Sequence, residues 1–302
     1  MKTYFLTCGT IDFNGELEID KSAFESIENA RTTLTSIKDF EEVYDLLIQC
    51  FYKVEESFAA ALIKFSLGIE ERDYFEMHRR RLSLNLEIMS LLSSFRIYRD
   101  HNKKNLLEGI NKYFKDKNYH LIFESPDEVL FVESFRNYVQ HHGMPVEGIN
   151  LSMSHLDSES DTYVTECVGD ITMNVDTCLN SHNFSDSVDF IKKFSGKISL
   201  RARFREYISN LSSLHLKIRA EVSELAEHER GVVEQFQLQY QSSTVYQGNL
   251  NSIVAKVRRD GEVEKSISLF LLWDDVRQQL ELVNRKVGKL GNRYISTRKT
   301  ND

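Results

Sequence analysis

Ser125-Pro126-Asp127-Glu128-Val129-Leu130-Phe131-Val132-Glu133-Ser134-Phe135-Arg136-Asn137-Tyr138-Val139-Gln140-His141-His142-Gly143-Met144-Pro145 reads as one amphipathic helix with its own start and stop. Ser125 suits the N-cap, Pro126 is preset for the first helical position, and Glu128 is spaced to reach back to the cap. Gly143 ends the helix by taking a left-handed conformation and Pro145 by lacking an N–H, so the expected span is about Pro126 to His142. At roughly 100° per residue, Phe131, Val132, Phe135, Tyr138 and Val139 share one side. Glu133, Arg136, Asn137, Gln140 and His141 spread over the other, with Asn137 and His141 stacked at i, i+4.

Upstream, Phe40, Val43, Leu47, Phe51, Val54 and Phe58 trace a helical period from about Asp39 to Phe65, until Gly68 interrupts it. A second helix is expected from near Glu70 to His101. Leu84, Ile88, Leu91, Leu92, Phe95 and Tyr98 make one apolar stripe on it, and Leu82, Leu86 and Met89 make another, so neighbours should pack on both sides. Asn105 to Phe114 reads as a short third helix. Downstream, Leu200, Phe204, Tyr207, Leu211, Leu214, Ile218, Val222 and Leu225 predict a helix over about Lys197 to Glu227. Leu269 to Lys286 should form a last one, packed through Trp273, Leu280 and Val283.

Period-two segments punctuate the helices. Asn14-Gly15 between Tyr4-Phe5-Leu6 and Leu17 predicts an N-terminal hairpin, and Asp260-Gly261 after Ile253 to Val257 predicts a C-terminal one. Residues 149–175 suggest a small strand pair. The expected fold is mainly α, a helical bundle with β-hairpin embellishments at the N-terminus, in the middle and in the C-terminal region. Residues 1–35 are expected as a hairpin appendage and 36–302 as one helical domain.

Composition narrows the class. The 302 residues are 41% hydrophobic, enough for a substantial core, and the formal charge of −8 argues against a general nucleic-acid coat. Charge is unevenly placed, however. Residues 1–60 carry five basic against twelve acidic side chains, and residues 191–220 carry eight basic against one acidic. Lys197, Arg201 and Arg205, four apart, are expected as a basic ridge that could contact phosphates, although such a ridge is also an ordinary solvated flank. Cys8, Cys50, Cys167 and Cys178 lack metal-ligand spacing, so no metal or other cofactor is expected, and reduced thiols fit a cytoplasmic protein. No apolar run approaches a membrane span. Glycine-rich phosphate loops, HExxH and GxSxG are absent from the sequence.

Arg136 followed by His141 is one of three such spacings, the others being Arg72 to His78 and Arg96 to His101. Only the first ends a capped helix and carries an amide beside the arginine. Polar residues there are also what a solvated helix face requires. Yet the set suits metal-free RNA cleavage, because RNA carries its own nucleophile, the 2′-hydroxyl. An imidazole, with an ordinary pKa of about 6.5, can take that proton. A guanidinium can pair two donors with the phosphate as charge builds. Asn137 could orient His141 or hold a phosphate oxygen. Gln140 and His142 are secondary candidates for contact with substrate.

Arg136-Asn137-x-x-x-His141 near the end of a late helix resembles the HEPN superfamily, whose signature is an Arg, four to six residues and a His, often with a polar residue after the Arg. The resemblance covers these residues and the helices from about Asp39 to His142. It implies a HEPN-like bundle and a metal-independent endoribonuclease acting on RNA. It also implies a homodimer with one cleft built from both motif helices, and a role as a bacterial toxin or antiviral effector, with a separate antitoxin or sensor chain as a possible partner. The alternatives are a catalytically inactive HEPN-like module that binds RNA, a nucleotide or a partner, and a helical scaffold in which Arg136 pairs with an acid such as Glu133.

Overall fold

A computed structural model describes residues 2–8, 15–68, 74–101, 127–146, 148–156, 164–246, 252–290 and 293. The chain is mainly helical, with two small antiparallel sheets. It divides into two compact units, and the helices α1 (Lys21–Ser66) and α6 (Leu200–Gln241) each contribute residues to both. The expected Asn105–Phe114 helix, the cap at Ser125 and Asn14 lie outside the described residues.

The first unit holds residues 1–43, 101–117 and 216–285. Its sheet runs in the order β2 (Leu17–Ile19), β1 (Lys2–Cys8), β6 (Ile253–Arg259), β7 (Glu262–Ser268), all antiparallel. Tyr4 pairs with Ile19 on one side and Val257 on the other. The expected N-terminal appendage is therefore half of a sheet completed by the C-terminal hairpin. Asp260 and Gly261 both take positive φ, 51° and 95°, which is the twist that an Asp-Gly turn supplies. Alternation puts Ile253, Ala255 and Val257 on the buried face.

The boundary expected at residue 35 falls inside α1. The helix begins at Lys21, where the Asp20 carboxylate accepts the Ala23 N–H at 2.7 Å. Phe24, Ile27, Ala30, Leu34 and Ile37 carry the buried stripe on to Phe40. The polar run that hides this turn in the sequence is absorbed locally, since Thr32, Thr35 and Ser36 donate their hydroxyls to the carbonyls of Glu28, Arg31 and Thr32.

The helix α7 (Leu272–Val283) also departs from expectation. It buries Asp274 and Arg277, while Val283 is 68% exposed. Asp274 accepts two hydrogen bonds from Arg277, at 2.6 and 2.9 Å, and one from Arg230 at 2.8 Å. Trp273 stacks under the Arg31 guanidinium at 4.0 Å. The buried side of this helix is thus occupied by satisfied ions.

The second unit holds residues 44–100, 118–215 and 286–302. α1 ends at Ser66, and Gly68 beyond it takes a left-handed φ of 62°. α2 (Tyr74–His101) and α3 (Asp127–His141) follow. β3 (Gly148–Leu156), β4 (Val164–Asn174) and β5 (Lys197–Ser199) make a three-stranded antiparallel sheet. Between β4 and β5 lie α4 (Val175–Leu179), a 3-10 turn (His182–Ser187) and α5 (Val188–Ile191). Lys197 is thus a strand residue, and α6 starts three residues later than its charge spacing predicts. In the core, His215 stacks on Tyr44 with ring centroids 3.7 Å apart, and Tyr98 Oη lies 3.0 Å from His215 Nδ1. Among the described residues no helix is long and apolar enough to cross a membrane.

Candidate functional site

α3 is anchored by aromatic rings and presents its polar residues at one end. Phe131, Val132, Ser134 and Phe135 are buried. Phe131 packs 5.8 Å from both Phe184 and Phe190, and Tyr138 lies 5.7 Å from Phe184. The hydroxyls of Ser134 and Ser187 lie within 3.0 Å of each other in the same interior. These contacts clamp the 3-10 turn onto α3. The turn is shaped by Ser181, whose hydroxyl accepts the Asn183 backbone N–H at 3.4 Å and its side-chain amide at 3.1 Å. The clamp brings His182 alongside the end of α3.

Gly143 does not have positive φ, contrary to the sequence expectation. Its place is steric. A Cβ there would sit 3.0 Å from the Tyr138 hydroxyl, so glycine lets the chain fold back over that ring. The helical hydrogen bonding continues one residue past α3, with His142 N–H donating to Tyr138 O at 2.8 Å.

Arg136 donates through Nη1 to Asn137 Oδ1 at 3.2 Å, so the amide steers the guanidinium rather than the imidazole. The Nε of Arg136 is buried, with no hydrogen-bond partner among the described residues. Glu133, the acid that the scaffold reading pairs with Arg136, pairs instead with Arg99 of α2 at 3.0 Å. Asn137, Gln140, His141 and His142 are exposed. The rings of His141 and His142 are 6.4 Å apart, and those of His142 and His182 are 5.5 Å apart, edge to face. Three imidazoles therefore gather at the end of the helix that carries Arg136. Among the described residues no cluster of histidine, cysteine and carboxylate side chains could hold a metal.

His182 is the residue that sequence reasoning missed, since it reads as an isolated histidine in a polar stretch. The available signal was Ser181 two residues before Asn183, a cap for a short turn, and Phe184 as an anchor.

The residues of the expected phosphate ridge are engaged within the chain. Arg201 and Arg205 both fasten onto Glu55, at 2.7 and 3.1 Å, and Arg205 is 7% exposed. Arg205 also donates to the Arg293 carbonyl. Lys197 reaches Asn150 Oδ1 at 3.4 Å. Three more of the basic run are similarly engaged, Lys193 with Asp127, Arg203 with Glu206 and Arg219 with Glu41. A helix burying an apolar stripe brings its flanking arginines against the neighbouring helix, where acids meet them. The rival motif at Arg96 is tied to Asp100 at 2.5 Å.

No family model, no curated protein and no solved structure matches the chain.

Proposed function

We propose that the chain is a HEPN-like, metal-independent endoribonuclease centred on Arg136 and His141. One observation carries the reading: Arg136, steered by Asn137, shares the end of α3 with an exposed set of imidazoles, His141, His142 and His182. His141 takes the proton from a 2′-hydroxyl, which attacks the adjacent phosphorus. Arg136 stabilises the charge that gathers on the phosphate oxygens. The P–O5′ bond breaks, and an imidazolium of the same cluster returns a proton to the leaving oxygen. The products are a 2′,3′-cyclic phosphate and a 5′-hydroxyl end. The resemblance adds that two copies meet so that both Arg136–His141 sets line one cleft. It also supports an intracellular toxin or antiviral effector restrained by a separate antitoxin or sensor chain.

The engagement of Arg201 and Arg205 by Glu55 favours one alternative, a catalytically silent HEPN-like module for a nucleotide, RNA or partner protein, because it removes cations that a long RNA would need. Incubation of the purified chain with mixed RNA in EDTA separates the two. Cleavage that survives chelation and disappears in both Arg136→Ala and His141→Ala supports the enzyme. Binding without cleavage supports the silent module.

A further inference from the structure

Four consecutive side chains, His78-Arg79-Arg80-Arg81, point around a full turn of α2, so its cations cannot share one face. Arg81 turns to His78, with Nη2 3.3 Å from Nδ1. Arg79 and Arg80 instead line a cleft of about 310 Å³ between α1 and α2, inside the second unit. On α1 the cleft is walled by Ser57, Ala61 and Lys64, which fall on one side of that helix. Glu76 and Ser83 complete the α2 wall, and buried Ala61 and Leu84 give the cleft an apolar floor.

Two donors on the α2 wall are left uncommitted. Further along the helix, Ser90, Ser93 and Ser94 return their hydroxyls to the carbonyls of Leu86, Met89 and Leu91, at 3.0, 2.8 and 2.7 Å. Ser83 makes no hydrogen bond among the described residues. One turn before it, the Arg79 guanidinium meets Glu76 only at 3.6 Å, beyond hydrogen-bond length. Arg201 and Arg219, by contrast, hold their acids at 2.7 and 2.6 Å. Residues four apart on a helix lie one above the other, so the guanidinium and the hydroxyl face the same space. Lys64 and Arg80 have other contacts as well, yet both bring positive charge to the walls. Among the described lining residues Glu76 is the one carboxylate against three cations. The Ser57 hydroxyl is spent on Glu87, at 2.7 Å.

We propose that this cleft binds a small phosphate monoester by its dianionic phosphate. Arg79 pairs two donors with two of the oxygens, and Ser83 donates to a third. Lys64 and Arg80, on opposite walls, offset the charge. The volume matches the small end of ligand pockets, so the esterified carbons have room over Ala61 and Leu84. A lone carboxylate, with two oxygens and one charge, would answer Arg79 but leave Ser83 without an acceptor. Glu76 opposes the dianion and holds Arg79 at the rim of the empty cleft.

This site does not rest on the ribonuclease reading, and its test uses no RNA. Titration calorimetry of the full chain with glycerol 3-phosphate, at about pH 7.5 where such an ester is a dianion, is expected to show one saturable site with Kd below about 1 mM. Arg79→Ala should weaken it about tenfold or more, and Ser83→Ala about threefold. Circular dichroism should be unchanged, because both side chains are exposed. Glu76→Gln should tighten binding about threefold, a sign that a merely structural role would not give. Inorganic phosphate, which leaves the apolar floor uncovered, should bind about tenfold more weakly than the ester. Arg136→Ala should bind like the parent. Absence of saturation below about 10 mM, equal affinity in Arg79→Ala, inorganic phosphate as tight as the ester, or loss of binding in Arg136→Ala overturns the proposal.

Discussion

His142 at the end of α3 and His182 at the start of the 3-10 turn meet edge to face, with ring centroids 5.5 Å apart and planes at 89°. Forty residues separate them in sequence, and the Phe131–Phe184 and Tyr138–Phe184 contacts bring them together. If the cluster supplies the leaving-group proton, His182→Ala should lower the cleavage rate about tenfold to a hundredfold. His182 is exposed, so the thermal midpoint should be unmoved. An unchanged cleavage rate in His182→Ala would assign the acid elsewhere while leaving the roles of Arg136 and His141 standing.

Arg136 has an ordinary partner at Nη1 and a buried, unpartnered Nε. An unsatisfied donor is a cost to the fold, and such costs gather where a ligand completes the set. Arg136→Met should therefore leave the thermal midpoint within about 2 °C of the parent or slightly above it, while cleavage falls by about a hundredfold or more. Arg136→Lys keeps the charge but loses the two-pronged geometry, and should recover little activity. Parallel melting curves and initial rates check this. A large loss of stability in Arg136→Met would make the residue structural.

Much of this architecture is legible in the residues alone, for reasons that differ from place to place. Phe40 to Phe58 and Leu200 to Leu225 declare their helices because burial repeats at every turn. Asp260-Gly261 declares its hairpin because few other pairs tolerate two positive φ values. The start of α1 is hidden because its threonines and serine satisfy their own hydroxyls within the helix. α7 is misread because its buried side belongs to Asp274 and Arg277, which a hydropathy pattern counts as exposed. The motif helix is readable, but the third imidazole is not. His182 joins the cluster through tertiary packing, which leaves no spacing in the sequence.

Arg201 and Arg205 give the clearest test between a phosphate ridge and an internal ion cluster. Both hold Glu55, whose side chain is 15% exposed, and Arg201 also covers the Phe58 ring at 4.7 Å. Glu55→Ala should cost about 2–3 kcal/mol, because it leaves two partly buried cations without their anion. Arg201→Ala should likewise lower stability, while leaving the affinity for a short RNA and its salt dependence within about twofold of the parent. Urea denaturation and binding at two salt concentrations measure both effects. A steep loss of salt dependence in Arg201→Ala would restore the ridge as an RNA contact.

Asp274 ties the first unit to acid stability. Burial is the largest influence on its carboxyl and pushes the pKa up, but the hydrogen bonds from Arg277 and Arg230 prevail and hold it below the usual value of 3.8. A carboxyl lowered in the folded state contributes stability that is fully present above its unfolded pKa and is lost as pH falls through the folded one. The parent should therefore lose stability from about pH 5 downward. Asp274→Asn should be weaker than the parent at neutral pH, by about 3 kcal/mol, since Arg277 is left buried beside an uncharged amide. Its stability should then decline less steeply over the acid range, so that the two urea-midpoint curves converge toward low pH. Curves that stay parallel from neutral to acid pH would mean that the Asp274 carboxylate is not coupled to folding.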